Sequence, residues 1–585
     1  MSSAEQDPRR DDPAQATATV SRYLAYSSTH MHGIASRTEP DVLASELARL
    51  NGAVRANAGS VSPYGHPGDY LRVLVDKGDA VSAKACRGDA GEQPASSAAS
   101  ASARSGAAAD GSAAQASLPA LTLADAVARL AAGEITSRQL TERALARASA
   151  TQPVLNAFIE IWADKALARA DALDAQRQSG QPLGALHGIP LAHKDCFEIT
   201  GHAATIGSKA RPPETATHDA FAIRRMEAAG SVTIGTLNLN EMVAGPTGQN
   251  PAFGDCCNAL DPSRISGGSS SGSGAAVAAG AVFGSIGSDT GGSIRLPASV
   301  HGLYGLKPTY GRVSREGCFP RAFTLDCAGP LARTAQDCAI LLKVVAGHDA
   351  DDPSSLPADV PDYPALLDVA ADGSRVAVMK LSGDDACEAS IASVFERWLA
   401  GVEHTFGPVS EVGFPQMAAC YAMGDIISKV EAATLHGQWM RAHPQAYSQA
   451  VYSRTEPGLH VPAVRYLEAL LARDRILREF LSGPMGQADI LLCPTIPVPV
   501  PTRADADMEK KGSVFNVVGQ ITRLTRPFSY LGVPVLTMPI GVDGNGMPVG
   551  VQLIGKPLAE ARLLAFAHQM SGGRAFDPRT SLEKK

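Results

Sequence analysis

The chain has 585 residues, of which 45% are hydrophobic and 19% charged, and its 52 basic and 59 acidic residues give a net charge of −7. This composition is typical of a packed globular protein and excludes intrinsic disorder along the whole chain. The acidic balance argues against a surface for nucleic acid or anionic lipid, because such a surface needs a basic excess or a basic stripe.

The first part of the chain is predicted to be an extension separate from the main domain. Residues 1–20 are polar and aperiodic, which indicates disorder and no signal peptide. Residues 21–90 favour a small helical module, in which Asp41 caps a helix with leucines on one face and Gly52 ends it. Residues 91–117 are mostly Ala, Ser and Gly, which predicts a flexible linker. The extension could serve dimerisation or docking, or have no folded function.

The main body is predicted to be one large α/β domain at residues 118–573, followed by a tail at 574–585. Thr122 and Thr136 each open a helix with a capping-box pattern. Helical stretches then alternate with short apolar runs bounded by Pro and Gly, at 232–235, 490–493, 533–538 and 549–554. This alternation indicates a largely buried sheet covered by helices.

The cysteine pattern and the hydropathy of the chain indicate the cellular compartment of the protein. The ten cysteines are scattered and form no CxxC pair, so we interpret them as mostly buried thiols in a reducing compartment. No apolar run is long enough to span a bilayer. The sequence therefore predicts a cytoplasmic protein.

Two Gly/Ser-rich clusters, at 265–280 and 287–297, are the most unusual feature. They could be linkers, but the first runs into a helix-like Ala/Val segment and the second carries Asp289 and Arg295 between apolar flanks. Two glycines precede Ser293, and they permit a tight turn in which backbone N–H groups converge on one oxygen. Such a turn is an oxyanion hole with a serine at its edge.

A serine nucleophile needs a base, and no histidine lies in either cluster. Lys194 ends an apolar run that suits a strand entering the core. A lysine acts as a base only when neutral, and burial can lower its pKa by roughly 3–5 units. The alternative is that Lys194 and Asp195 form a solvated charge pair.

Taken together, these segments resemble the amidase signature family of serine hydrolases. The resemblance covers about residues 118–570. The matching segments are 188–195, 267–272, 288–297, 302–309 and 329–337. One departure is Ser271, where many members of the family have glycine, and we expect no loss of chemistry from it.

The resemblance implies an α/β fold with a single large mixed β-sheet core covered by helices, and a Ser–Ser–Lys triad. Ser293 matches the nucleophile, Lys194 the base, and Ser269 the bridging serine that follows a cis peptide bond. Asp289 and Arg295 match residues that support the loop. The implied oxyanion donors are the backbone amides of Thr290, Gly291, Gly292 and Ser293.

The implied function is an amidohydrolase that cleaves a carboxamide C–N bond through an acyl-enzyme on Ser293, without a metal or organic cofactor. The expected partners are an amide substrate and water, with no nucleic acid and no membrane, and a homodimer is left open. The alternative is the glutamine-hydrolysing A subunit of a tRNA-dependent amidotransferase complex. The N-terminal extension and the segment 315–320 favour the stand-alone enzyme.

The substrate pocket is less well defined by the sequence. Met242, Phe319 and Trp439 are candidates for a partly apolar wall, against the alternative that they are core residues. No charged residue stands out as an anchor for a substrate carboxylate, and Arg321 is the one guess.

A rival nucleophile lies inside the first cluster. Residues 268–272 satisfy the GxSxG pattern, which would make Ser270 the nucleophile of an α/β-hydrolase. That interpretation needs a downstream histidine, for example His568.

Overall fold

The computed structural model describes residues 39–58, 69–79, 121–210, 214–507 and 514–578. The N-terminal segment predicted to be disordered and the predicted linker lie outside these residues. Most of the predicted C-terminal tail also lies outside them.

Helices make up much of the described chain. They are α1 Pro40–Ala58, α2 Asp69–Asp76, α3 Leu123–Ala132, α4 Ser137–Leu155, α5 Ala163–Gln178, α6 Phe221–Ala228, α7 Ser271–Ala278, α8 Arg295–His301, α9 Ala335–Val345, α10 Ala389–Phe406, α11 Met417–Ala442, α12 Gln449–Thr455, α13 Ala463–Ser482, α14 Pro484–Gln487, α15 Val514–Thr522, α16 Arg526–Leu531 and α17 Glu560–Ser571. Short 3₁₀ turns lie at Glu241–Val243, Pro364–Leu366, Gly383–Asp385, Pro444–Ala446 and Glu456–His460.

Most of the strands form the large mixed sheet that the family resemblance implies. The strands are β1 Phe158–Ile161, β2 Pro190–Lys194, β3 Val232–Leu237, β4 Gly284–Asp289, β5 Tyr304–Lys307, β6 Cys327–Ala332, β7 Val376–Met379, β8 Ser410–Val412, β9 Ile490–Pro494, β10 Val535–Val542 and β11 Pro548–Gly555. Eight of them form one sheet in the order β4-β6-β5-β10-β11-β9-β7-β8. Its pairs are antiparallel except β7 with β8 and with β9, which are parallel.

The remaining three strands pair separately, in the order β1-β3-β2. The strand β2 packs beside β4 of the large sheet, and the Phe283 amide donates to the Pro190 carbonyl at 3.3 Å. Both β2 and β4 are buried along their whole length. The C-terminal ends of these two strands therefore lie close together, at Lys194 and Asp289.

Local sequence signals explain several helix ends. Thr122 and Thr136 each form a capping box with the residue three positions on, as predicted, so two orphan amides at each helix start are satisfied. Gly133 ends α3 in the left-handed conformation at φ 74°. Gly52 does not end its helix: α1 continues to Ala58 because its buried face, which includes Val54, extends past the glycine.

The described part of the N-terminal extension is helical and docks on the main domain. Leu47 and Leu50 of α1 are buried in one apolar cluster with residues of α11 and α13. Glu46 accepts a hydrogen bond from Lys429 Nζ at 2.6 Å. Tyr70 of α2 donates from its hydroxyl to the Leu531 carbonyl at 3.0 Å. These contacts join α1 and α2 to helices that also border the cleft described below.

Within the described residues, no helix is both long enough and apolar enough to cross a bilayer.

Candidate active site

Three chain segments converge on one buried spot. The strand β2 ends at Lys194, the loop before α7 carries Ser269, and the loop between β4 and α8 carries Ser293. The two loops are joined directly, because the Ser270 amide donates to the Ser293 carbonyl at 3.2 Å. Residues that are distant in the sequence thus share one site.

Lys194 lies in the interior and contacts hydroxyl groups rather than carboxylates. Its side chain has no exposed surface. Its Nζ lies 2.7 Å from Ser269 Oγ and 2.8 Å from Ser288 Oγ. Burial lowers the pKa of Lys194 below its ordinary value, because a charged amine loses its hydration there. The solvated charge pair with Asp195 is therefore excluded.

Ser288 is a site residue that sequence reasoning missed. It contacts Lys194 Nζ and lies 3.9 Å from Cys196 Sγ. The available signal was its position in the second Gly/Ser cluster, immediately before Asp289. A neutral amine has two N–H donors and one lone pair, so two hydroxyl partners suit it.

The two candidate serines differ in their surroundings. Ser269 is fully buried and follows a cis bond from Gly268, as the resemblance implied. Ser293 lines a cleft and keeps 9% of its surface exposed. Within the described residues, the two hydroxyl groups are not hydrogen bonded to each other.

The loop that carries Ser293 is shaped by a buried ion pair. Asp289 lies 3.0 Å from Arg295 Nε, and both side chains are fully buried. The same carboxylate accepts from the amides of Gly292 at 2.7 Å and Ile294 at 3.2 Å. Burial alone would raise the pKa of Asp289, but Arg295 and the hydrogen bonds lower it to about 2. Asp289 is therefore an anion that folds the loop back on itself.

The oxyanion-hole prediction needs one correction. The Gly292 amide already donates to Asp289, so its hydrogen is not free for an oxyanion. The amides of Thr290, Gly291 and Ser293 donate no hydrogen bond within the described part of the chain. The carboxylate of Asp289 causes this difference, because it accepts a hydrogen bond from the Gly292 amide as well as from that of Ile294. These three amides stay the predicted oxyanion donors.

Replacing Arg295 with methionine is expected to lower the free energy of unfolding by about 3–5 kcal/mol. The substitution leaves Asp289 charged and buried without its cation. Urea denaturation of the variant and wild type measures the change. The matched control is Arg478→Met, which breaks a 3.1 Å pair with Asp474 whose arginine side chain is 48% exposed. That control is expected to cost about 1 kcal/mol or less. Equal losses in both variants would contradict the structural role of Arg295.

The cleft beside Ser293 is lined by both polar and apolar groups. The described residues that line it do not include Met242, Phe319 or Trp439, whose role in a substrate pocket stays a prediction. Met242 is fully buried, and the rings of Phe319 and Trp439 stack at 6.4 Å against the core. The wall consists instead of small residues, hydroxyl groups and three arginines: Val243, Ala244, Gly245, Pro246, Thr290, Gly291, Leu296, Arg321, Ser428, Arg454, Thr522 and Arg526.

The geometry does not support Ser270 as a nucleophile. Its hydroxyl is buried and donates to the Ser288 carbonyl at 3.3 Å. His568 lies on α17, where its Nε2 is 3.9 Å from Asp368. In the described ranges no group of three or more His, Cys, Asp or Glu side chains is arranged to hold a metal ion.

Comparison with known proteins gives one family. The family model described as Amidase matches residues 139–564. The glutamyl-tRNA(Gln) amidotransferase A subunit of Thermosynechococcus vestitus is 34% identical over 452 residues, which cover 73% of this chain and 93% of that protein. Further curated relatives at 34% to 37% identity carry the same name.

Solved structures agree in fold. One is described as a vestigial protein complex that reveals the evolutionary origins of an s-triazine catabolic enzyme. It is 34% identical with a TM-score of 0.72 and covers 78% of this chain and 99% of its own. The native peptide amidase of Stenotrophomonas maltophilia is 30% identical with a TM-score of 0.67, and covers 78% of this chain and 98% of its own.

The prediction of small-molecule partners alone, with at most a homodimer, is wrong. The relatives are named as one subunit of an amidotransferase, and a subunit has protein partners. The partner prediction failed because it rested on the net charge of the chain and on its catalytic motifs. They carry no information about a surface that another protein covers.

Proposed function

Because this chain belongs to the amidase family, whose members act on amide C–N bonds, we propose that it hydrolyses a carboxamide through an acyl-enzyme on Ser293. The observation that carries the proposal is the 2.7 Å contact of Lys194 Nζ with Ser269 Oγ in the buried interior. An amine held there in its neutral form is a base, and the hydroxyl beside it is a proton carrier. The cytoplasmic location predicted from the sequence belongs to the same proposal.

The proposed reaction begins with proton transfer along the three side chains. Neutral Lys194 takes a proton from Ser269, which takes one from Ser293. The Ser293 oxygen then forms a bond with the amide carbonyl carbon, whose oxygen becomes negative. The step requires Ser293 Oγ to turn toward Ser269 in the substrate complex, where catalytic hydrogen bonds commonly tighten.

The second half of the reaction breaks the C–N bond. The amides of Thr290, Gly291 and Ser293 stabilise the oxyanion; one such donor typically contributes about 10²–10³-fold in rate. The proton held by Lys194 returns through Ser269 to the leaving nitrogen, so that ammonia or a neutral amine departs. Water then attacks the acyl-enzyme by the same proton route and regenerates Ser293.

A second candidate function is favoured by the names of the relatives. Glutamine hydrolysis as the A subunit of a tRNA-dependent amidotransferase fits them better than a stand-alone amidase does. The two features that favoured the stand-alone enzyme, the N-terminal extension and the segment 315–320, are local departures within a chain that otherwise matches over 73% of its length. In this second function the chain works with protein partners.

A fluorophosphonate probe is expected to label purified protein at Ser293, as located by peptide mass spectrometry. The label depends on an activated serine and not on knowing the substrate. Labelling at Ser270, or no labelling of the folded protein, would contradict the proposal. Ammonia release from glutamine and from simple amides, by the chain alone and with the other amidotransferase subunits added, then separates the two functions. Glutamine turnover that requires those other subunits identifies the second.

A further inference from the structure

Two cysteines lie beside Lys194, and their thiols contact each other. Cys196 follows β2, and Cys318 lies in the loop between β5 and β6. Their Sγ atoms are 3.9 Å apart. Cys196 Sγ also lies 3.9 Å from Ser288 Oγ, which is 2.8 Å from Lys194 Nζ. One hydroxyl group therefore separates the thiol pair from the amine that the proposed reaction uses as its base.

The backbone holds the two cysteine segments side by side. The Phe319 amide donates to the Cys196 carbonyl at 2.7 Å, and Phe197 pairs with Cys318 in an antiparallel bridge. Residues placed in this way across two paired segments have Cα atoms within the roughly 4.4–6.8 Å that a disulfide needs. A bond between the two sulfur atoms thus requires side-chain rotation and no rearrangement of the chain.

The two thiols differ in exposure and in acidity. Cys318 keeps part of its surface exposed, whereas Cys196 is fully buried. Burial opposes ionisation of Cys196, but its hydrogen bond with Cys318 and the Lys194 amine together lower its pKa below the ordinary value. The same contact with Cys196, together with burial, raises the pKa of Cys318. The pair combines a readily ionised sulfur with one that solvent reaches.

We propose that Cys196 and Cys318 are a reversible modification site, at which hydrogen peroxide converts the thiol pair to a disulfide that slows the chemistry of Lys194. The effect on catalysis rests on the amide hydrolysis proposed above, whereas formation of the disulfide does not. In a reducing compartment the pair rests as thiols, and a disulfide there is transient and responds to oxidant.

The oxidation takes place in two steps. One sulfur attacks a peroxide oxygen, the O–O bond breaks, and the departing hydroxide takes the proton of that thiol and leaves as water. The second sulfur then attacks the sulfenic sulfur, the S–O bond breaks, and the second thiol proton leaves with that hydroxide as water. The two sulfurs lose two electrons, which the peroxide gains. A dithiol reductant reverses the change by thiol–disulfide exchange.

The disulfide is expected to disturb the support of the lysine. It removes the S–H proton of Cys196 and moves its sulfur, which changes the contact with Ser288 Oγ. Ser288 is one of the two hydroxyl partners of Lys194 Nζ. Because a misplacement of about 1 Å at a catalytic group can lower a rate by about 10²-fold, kcat/KM of the oxidised enzyme is expected to fall by about 10- to 100-fold.

Peptide mapping tests the modification without a substrate. Reduced wild-type protein is treated with hydrogen peroxide, its remaining thiols are blocked, and it is digested under non-reducing conditions. Mass spectrometry is expected to find the peptides of Cys196 and Cys318 linked to each other, and dithiothreitol is expected to separate them. Sulfinic or sulfonic acid at these cysteines without the link, or unchanged thiols, would overturn the proposal.

Activity measurements test the effect on Lys194. Amide hydrolysis and fluorophosphonate labelling of Ser293 are measured before oxidation, after it, and after dithiothreitol, which is expected to restore the lost rate. Each variant is compared with its own reduced form. Cys318→Ser, or Cys318→Ala if the serine variant does not fold, is expected to be insensitive to the treatment. The matched control is Cys387→Ser, which removes another partly exposed thiol and is expected to respond as wild type does.

The outcomes separate this proposal from the proposed function. If wild type neither hydrolyses amides nor labels at Ser293 but forms the linked peptides, the proposed function fails and the modification site stands. An active enzyme that forms the disulfide and keeps its full rate would overturn the effect on Lys194. An equal loss of rate in Cys318→Ser would assign the sensitivity to another residue and overturn the proposal.

Discussion

Replacing Ser293 with alanine is expected to lower kcat for amide hydrolysis by on the order of 10⁶-fold. The variant lacks the serine hydroxyl that lies both in the cleft and beside the free amides of the loop. Residual activity would come from those amides and from substrate binding. The measurement is ammonia release at saturating substrate, with circular dichroism to show that the fold is retained.

The control for this prediction is Ser270→Ala. Ser270 is the residue after Ser269, but its hydroxyl already donates a hydrogen bond to the Ser288 carbonyl. The variant is expected to retain most of the activity. The opposite pattern, with Ser270 essential and Ser293 dispensable, would show that the GxSxG motif and not the Ser–Ser–Lys arrangement carries the chemistry.

Replacing Lys194 with methionine is expected to lower kcat/KM by about 10²–10⁴-fold, the usual contribution of a positioned base. Methionine fills a similar volume and has no basic nitrogen. In wild type, the rate is expected to rise with pH as Lys194 loses its proton, at a pH below the ordinary lysine value because burial lowers its pKa. The variant is expected to lose that limb of the pH profile. A variant with the wild-type profile would exclude Lys194 as the base.

Stability gives an independent readout of the same lysine. The folded-state pKa of Lys194 lies below its unfolded value, so below pH 10.5 the unfolded chain binds more protons than the folded one. The contribution of Lys194 to the free energy of unfolding therefore rises as the pH rises toward 10.5. The difference from Lys194→Met, measured by urea denaturation at several pH values, is expected to show this slope. No difference in slope would mean that the folded-state pKa of Lys194 is unshifted.

Features encoded locally were the ones that the sequence could predict. The capping boxes at Thr122 and Thr136 each involve four adjacent residues, and the structure has both. The catalytic candidates could be named because each lies in a distinctive short segment. The predicted helix end at Gly52 was wrong because the helix buries Val54 beyond the glycine. This burial stabilises the helix by more than the glycine destabilises it.

Features that arise from tertiary contacts could not be predicted. Arg321, Arg454 and Arg526 lie far apart in the sequence and have no shared pattern, yet the fold brings them to one cleft. The aromatic residues expected in that cleft pack on each other instead, because ring burial stabilises a core as readily as a pocket. The capture of the Gly292 amide by Asp289 likewise depends on loop geometry that residue types alone do not specify.

The docking of α1 and α2 has a consequence for how the protein behaves at low concentration. Both helices are part of the same polypeptide as the surface that receives them, so their association is unimolecular and its extent does not change on dilution. A separately encoded helical protein on this surface would dissociate as its concentration fell below its Kd. Because α1 and α2 are translated as part of the chain, every molecule has one copy of them for each surface that receives them.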